Sequence, residues 1–269
     1  MCDTNSWVII LHGGPGVSGG MGPLVQALAD RFRVLTPTQR TSGVEPLTVS
    51  RHVEDLDDLV RAQSDVSRPV LVGFSWGAML ALAYAAAHPE NVGPIVLVSC
   101  GTFDRAARQR LNELLHDRMT DNLRRQLEQL PRNVTDPDER LASMGNLLLP
   151  LYSYELMAAP EDLRCDARAH RETWEDMVRL QDEGVYPSAF ARIESPVLML
   201  HGATDPHHGR MIRDSLAPFL RRLEYVELER CGHYPWLEKH ARVEFFSVLR
   251  DWLDRKLRDA ADPIIDRNG

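Results

Sequence analysis

The chain has 269 residues, 43% of them hydrophobic, and a formal net charge of −8 at pH 7. That is enough apolar material for a large core, and the negative balance argues against nucleic acid or an anionic membrane as partner. No apolar run reaches the roughly 20 residues that span a bilayer, no basic leader opens the chain, and Cys2, Cys100, Cys165 and Cys231 show no C-x-x-C spacing. The expectation is a cytoplasmic protein with free thiols, no membrane anchor and no nucleic-acid partner.

Trp7 to Leu11 is continuously apolar, as suits a central parallel strand covered on both faces. It runs into His12-Gly13-Gly14-Pro15-Gly16, where missing side chains let backbone approach a ligand. A helix is predicted over 23–30 and a strand over 33–36. From Thr48 to Gln63, Val49, Val53, Leu56 and Val60 recur at helical spacing, while Glu54, Asp55, Asp57 and Asp58 form a solvated face. The apolar stretch 70–74 reads as a strand. After Ser75 comes a helix of Ala, Leu, Met and Tyr84 through Ala87, small-sided enough to pack tightly on a sheet.

Between Gly101 and Ile193 the pattern turns helical. Leu111, Leu114, Leu115, Met119, Leu123 and Leu127 form one stripe ended by Pro131. Asp136-Pro137 opens a second helix, and 173–181 a third, stopped at Gly184. Strands are predicted at 94–99, 196–200 and 223–228, with helices at 211–220 and 241–257. Such alternation specifies an α/β fold with a mostly parallel, doubly covered sheet, its site at the carboxyl ends of the strands. The expected organisation is a core of 1–101 and 191–269 with a helical cap at 102–190.

Gly73-Phe74-Ser75-Trp76-Gly77 fits G-x-S-x-G, in which a serine on a strained strand-to-helix turn presents its hydroxyl above the sheet. A serine nucleophile needs a base of near-neutral pKa, an acid to orient that base, and N–H donors for the oxyanion. Asp205, just past the strand ending at Leu200, supplies the acid. His233, in Cys231-Gly232-His233-Tyr234-Pro235-Trp236, supplies the base. The amides of Trp76 and Gly14 are the expected oxyanion donors, with Gly13 the near neighbour, and His12 is expected to shape that loop. His207-His208 invites a metal reading, but no carboxylate or thiol cluster at ligand spacing accompanies it, so no metal is expected.

In these residues the chain resembles the α/β-hydrolases, and among them the prolyl iminopeptidase branch. The carriers are His12-Gly13-Gly14-Pro15-Gly16, the Ser75 elbow with Leu80-Ala81-Leu82-Ala83-Tyr84 and His88-Pro89-Glu90, then His201-Gly202 with Asp205, and Gly232-His233. The resemblance implies a Ser75-Asp205-His233 triad, an acyl-enzyme, no cofactor, and a small molecule or short peptide as substrate. Two features depart from the pattern. The family's Asp-Gln-Arg-Gly turn is here Thr38-Gln39-Arg40-Thr41, and only six residues precede Trp7 where members carry two antiparallel strands. Those strands are therefore expected to be missing or trimmed, or the start codon to be misplaced. A trimmed sheet would leave an edge that a homodimer would cover.

Trp174-Glu175 resembles a Trp-Glu pair of the iminopeptidase cap, which would make Glu175 the ligand of a substrate amine, with Glu172 or Glu183 nearby. The Gly-His-x-Pro-Trp ending is shared with esterases and carbon–carbon bond hydrolases. A carboxylesterase, a lactonase or a carbon–carbon bond hydrolase is thus the alternative to an iminopeptidase-like enzyme. A non-catalytic small-molecule receptor on the same fold is the reading from another class, opposed by the competent residue at every catalytic position.

Overall fold

A computed structural model describes residues 6–63 and 67–261. The first half of the chain forms β1 (Trp7–Leu11), β2 (Val17–Ser18), α1 (Gly22–Leu28), β3 (Arg33–Leu35), α2 (Val49–Ala62), β4 (Val70–Phe74), α3 (Trp76–Ala87) and β5 (Ile95–Val98). An inserted segment follows, with α4 (Arg105–Arg118), α5 (Asp121–Asn133), α6 (Pro137–Tyr152), β6 (Arg164–Cys165) and α7 (Ala167–Asp182). The chain then returns through β7 (Val197–Gly202), α8 (Gly209–Leu216), β8 (Leu223–Leu228) and α9 (Arg242–Ala261).

Six strands make one sheet in the order β3-β1-β4-β5-β7-β8, every neighbouring pair parallel. Side chains alternate across it, as the two-residue period requires. Ile9, Leu71, Leu97 and Met199 face a core built with α2, α3 and α8. Val8, Val72, Val96 and Leu198 face a second core, built with α1 and α9. Within α3 every residue from Trp76 to Ala86 is buried, which its run of small side chains permits. Among the described residues no strand precedes β1, and no helix is long and apolar enough to cross a membrane.

The inserted segment departs from the sequence expectation in two places. The leucine stripe from Leu111 to Leu127 is carried by two helices, because Thr120 accepts the Leu123 N–H and starts α5 afresh. Pro131 lies inside the last turns of α5 rather than ending a single helix. The second departure is the ribbon of β2 against β6, antiparallel and two residues long on each side. It ties the glycine-rich loop after β1 to the inserted segment. The Asp166 N–H donates to the Gly16 carbonyl at 2.7 Å, and His170 Nδ1 to the Pro15 carbonyl at 2.8 Å.

Candidate active site

The turn between β4 and α3 is the strained point of the site. Ser75 holds φ 51° and ψ −114°, a conformation that costs a non-glycine residue of order 1–3 kcal/mol and persists only where the surroundings impose it. Its N–H donates to the Val98 carbonyl at 2.9 Å, which locks the turn to β5. The flanking glycines are there because nothing larger fits. A Cβ at Gly73 would lie 2.3 Å from the Gly77 carbonyl oxygen, and one at Gly77 would lie 2.2 Å from that of Leu11.

Asp205 and His233 come from the loops after β7 and β8. His233 Nδ1 donates to Asp205 Oδ2 at 2.7 Å, which leaves Nε2 as the ring's acceptor. Both residues are 4% exposed. Burial alone would raise the Asp205 pKa, but the facing imidazoles of His233 and His201, with hydrogen bonds from His201 and His207, hold it well below the usual carboxylate range. Burial pushes the His233 pKa below its ordinary 6.5, against the pull of Asp205 and with help from His207 and His201.

Ser75 and His233 line one cavity of about 530 Å³, together with Gly13, Gly14, Phe74 and residues of α6 and β6. The glycine-rich loop passes close to the serine at Gly13, where an added Cβ would sit 3.2 Å from that of Ser75. His12 is 5% exposed and shapes this loop as one neutral tautomer. Its Nδ1–H donates to the Gly13 carbonyl at 3.0 Å, and its Nε2 accepts the Gln39 N–H at 3.2 Å. Gln39 in turn donates to the His12 carbonyl and accepts from the Trp76 indole at 2.7 Å. The departing Thr38-Gln39-Arg40-Thr41 turn thus keeps a glutamine that links His12 to Trp76 beside the serine.

Glu175 does not reach this place. It is exposed on α7 and absent from the cavity wall, which carries no aspartate or glutamate among the described residues. Its neighbours are engaged elsewhere: Glu172 accepts the Leu47 N–H and Asp176 the Val49 N–H. Both hold α7 against the start of α2. Glu183 pairs with Arg179 at the end of α7.

Two residues have roles that sequence reasoning did not assign, His207 having been weighed only as a metal ligand. His207 donates to Asp205 Oδ1 through both its N–H (2.9 Å) and its Nδ1 (3.2 Å), and its ring stacks on His233 with centroids 4.7 Å apart. Its adjacency to Asp205 was the available signal. Glu238, fully buried, accepts the N–H groups of Gly232 (2.9 Å), Tyr154 (2.8 Å) and Glu155 (2.7 Å). Nothing in the sequence distinguishes it from a surface glutamate. Asp205, His207 and His233 also place possible metal-ligating atoms within 4.8 Å of one another. Hydrogen bonds already join them, and an ion there would displace the Nδ1 proton that fixes the His233 tautomer. Cys100, Cys165 and Cys231 are free, and Cys2 lies outside the described residues.

The sequence matches the model of the "Alpha/beta hydrolase family" over residues 8–245. It is 25% identical over 285 aligned positions to the "Proline iminopeptidase" of Lactobacillus helveticus, covering 92% of this chain and 90% of that one. The fold is similar to MenH from S. aureus, with a TM-score of 0.68 and 18% identity over 95% of this chain and 96% of that one. It is also similar to 2-hydroxy-6-oxo-6-phenylhexa-2,4-dienoate hydrolase from Rhodococcus sp., with a TM-score of 0.62 and 24% identity over 94% of this chain and 90% of that one. At those identities the structural likeness speaks to the fold alone.

Proposed function

The chain belongs to the alpha/beta hydrolase family, and we propose that it is a serine hydrolase acting through an acyl-enzyme on an uncharged substrate with an apolar acyl group. The observation that carries the chemistry is the 2.7 Å bond from His233 Nδ1 to Asp205 at the cavity that holds Ser75. In this reading His233 Nε2 takes the Ser75 hydroxyl proton as Oγ attacks the substrate carbonyl. The amides of Trp76 and Gly14, with Gly13 beside them, receive the oxyanion. His233 passes its proton to the leaving alcohol or amine, and water repeats the sequence to release the acid and restore Ser75. Segment 102–190 acts as the cap over this chemistry.

Among the described residues no carboxylate lines the cavity, and this is what favours an uncharged ester or amide. An amino-terminal substrate would bring a cation into an apolar cavity with no anion to meet it, which is costly. The second reading, an iminopeptidase, is favoured by the likeness to proline iminopeptidase across 92% of the chain. A fluorophosphonate probe, p-nitrophenyl butyrate and proline-naphthylamide separate the cases. Ser75→Ala should abolish labelling and lower kcat by about a thousandfold or more. Butyrate ester should be the better substrate, and Glu175→Gln should leave both rates unchanged. Preferential cleavage of proline-naphthylamide, weakened by Glu175→Gln, would establish the second reading instead.

A further inference from the structure

A second apolar space lies behind the first. Between α4, α5 and α6 there is a mostly apolar groove of about 450 Å³ whose walls include Leu115, Met119, Leu127 and Leu130, with Asn112, His116 and Arg140 also on its lining. It shares two side chains of α6, Met144 and Leu148, with the Ser75 cavity. The helices that form it are oddly packed. An amphipathic helix in a folded protein normally buries its apolar stripe, yet α5 has no fully buried residue and α4 only Ala107. An open, mostly apolar groove of this size beside a candidate active site has the character of a ligand subsite.

We propose that this groove takes the distal part of a long, unbranched acyl chain whose carbonyl carbon sits at Ser75, the chain passing between the two chambers beside Met144 and Leu148. The proposal rests on the serine-hydrolase reading and narrows its substrate class to long-chain acyl esters or amides. Continuity decides the occupant. The groove and the catalytic cavity share Met144, which is 38% exposed, and Leu148 in their linings, and an unbranched, three-torsion methionine beside a leucine yields more readily to a slender chain than to a folded ligand. The leucine and methionine side chains of the lining reward each methylene buried against them.

The test compares p-nitrophenyl butyrate with p-nitrophenyl myristate, and measures cis-parinaric acid binding to the Ser75→Ala protein by fluorescence. Leu127→Trp on α5 and Leu115→Trp on α4 each fill the groove from a different helix, so a folding failure of one leaves the other. Each should lower the myristate-to-butyrate ratio of kcat/KM by about tenfold or more, and weaken cis-parinaric acid binding by a similar factor. An unchanged ratio and unchanged binding in both variants, with butyrate still turned over, would overturn the groove proposal and leave the hydrolase reading standing. Failure of both esters and of fluorophosphonate labelling, with the binding difference intact, would sink the hydrolase reading and support the groove.

Discussion

At Ser75 the backbone sits at φ 51° and ψ −114°, and the proposed reaction asks for a neutral base at His233. His233 is buried, so its charged form is disfavoured, and its pKa lies below 6.5. The base form then persists into mildly acid solution, and the acid limb of kcat/KM should have its midpoint below pH 6.5. A midpoint at or above 6.5 would contradict this. The groups facing His233 are Asp205, His201 and His207, with Tyr152 and Tyr234 against its ring. His207 lowers the His233 pKa while bonding Asp205 Oδ1. His207→Ala should therefore move the acid limb upward and reduce kcat/KM by roughly three- to tenfold, the worth of one buried hydrogen bond. An unmoved limb with the same loss of rate would make His207 a packing residue only.

Among elements, the end of α6 matters most for the site. The His233 N–H donates to the Tyr152 carbonyl at 2.7 Å, and Glu238 clasps Gly232 to Tyr154 and Glu155. The loop bearing the base is thereby bolted to the inserted segment. Glu238→Gln replaces one acceptor oxygen by an amide NH2 that faces a backbone N–H. The expected cost is about 1–3 kcal/mol, read as a lower Tm, together with a fall in kcat. A Tm equal to that of the unsubstituted protein would show that the clasp is dispensable. The β2–β6 ribbon does the same on the opposite side of the serine, holding the glycine-rich loop.

For the whole molecule, burial leaves its mark on several histidines at once. His12, His170 and His233 have pKa values below 6.5, and that of His52 is about 4, with burial the largest cause in each. Between pH 6.5 and those lowered values the unfolded chain binds protons that the folded chain does not, so stability falls as pH falls through that window. Asp205 works in the same sense, in more acid solution: its depressed pKa stabilises the fold above 3.8, and that support is lost as pH falls from there through the native value. Thermal denaturation between pH 7.5 and 5 should show Tm decreasing steadily. A flat or rising Tm would mean that these histidines are solvated or paired in solution.

The alternation of apolar strands with helices, the G-x-S-x-G turn and the order of serine, acid and histidine are local or periodic features, and all were legible in the chain. Backbone sterics and the two-residue strand period write them directly into the residue string. The division of the leucine stripe at Thr120 was legible in principle, since a capping residue is a local signal. Other features had no such signature. Whether Glu175 or Met144 faces the cavity, whether Glu238 is a solvated charge or a buried clasp, and whether the glycine-rich loop pairs with a strand about 150 positions later depend on how helices pack across long loops. Packing of that kind is set by shape and by the pairing of buried polar groups among distant residues. Only the tertiary structure decided it.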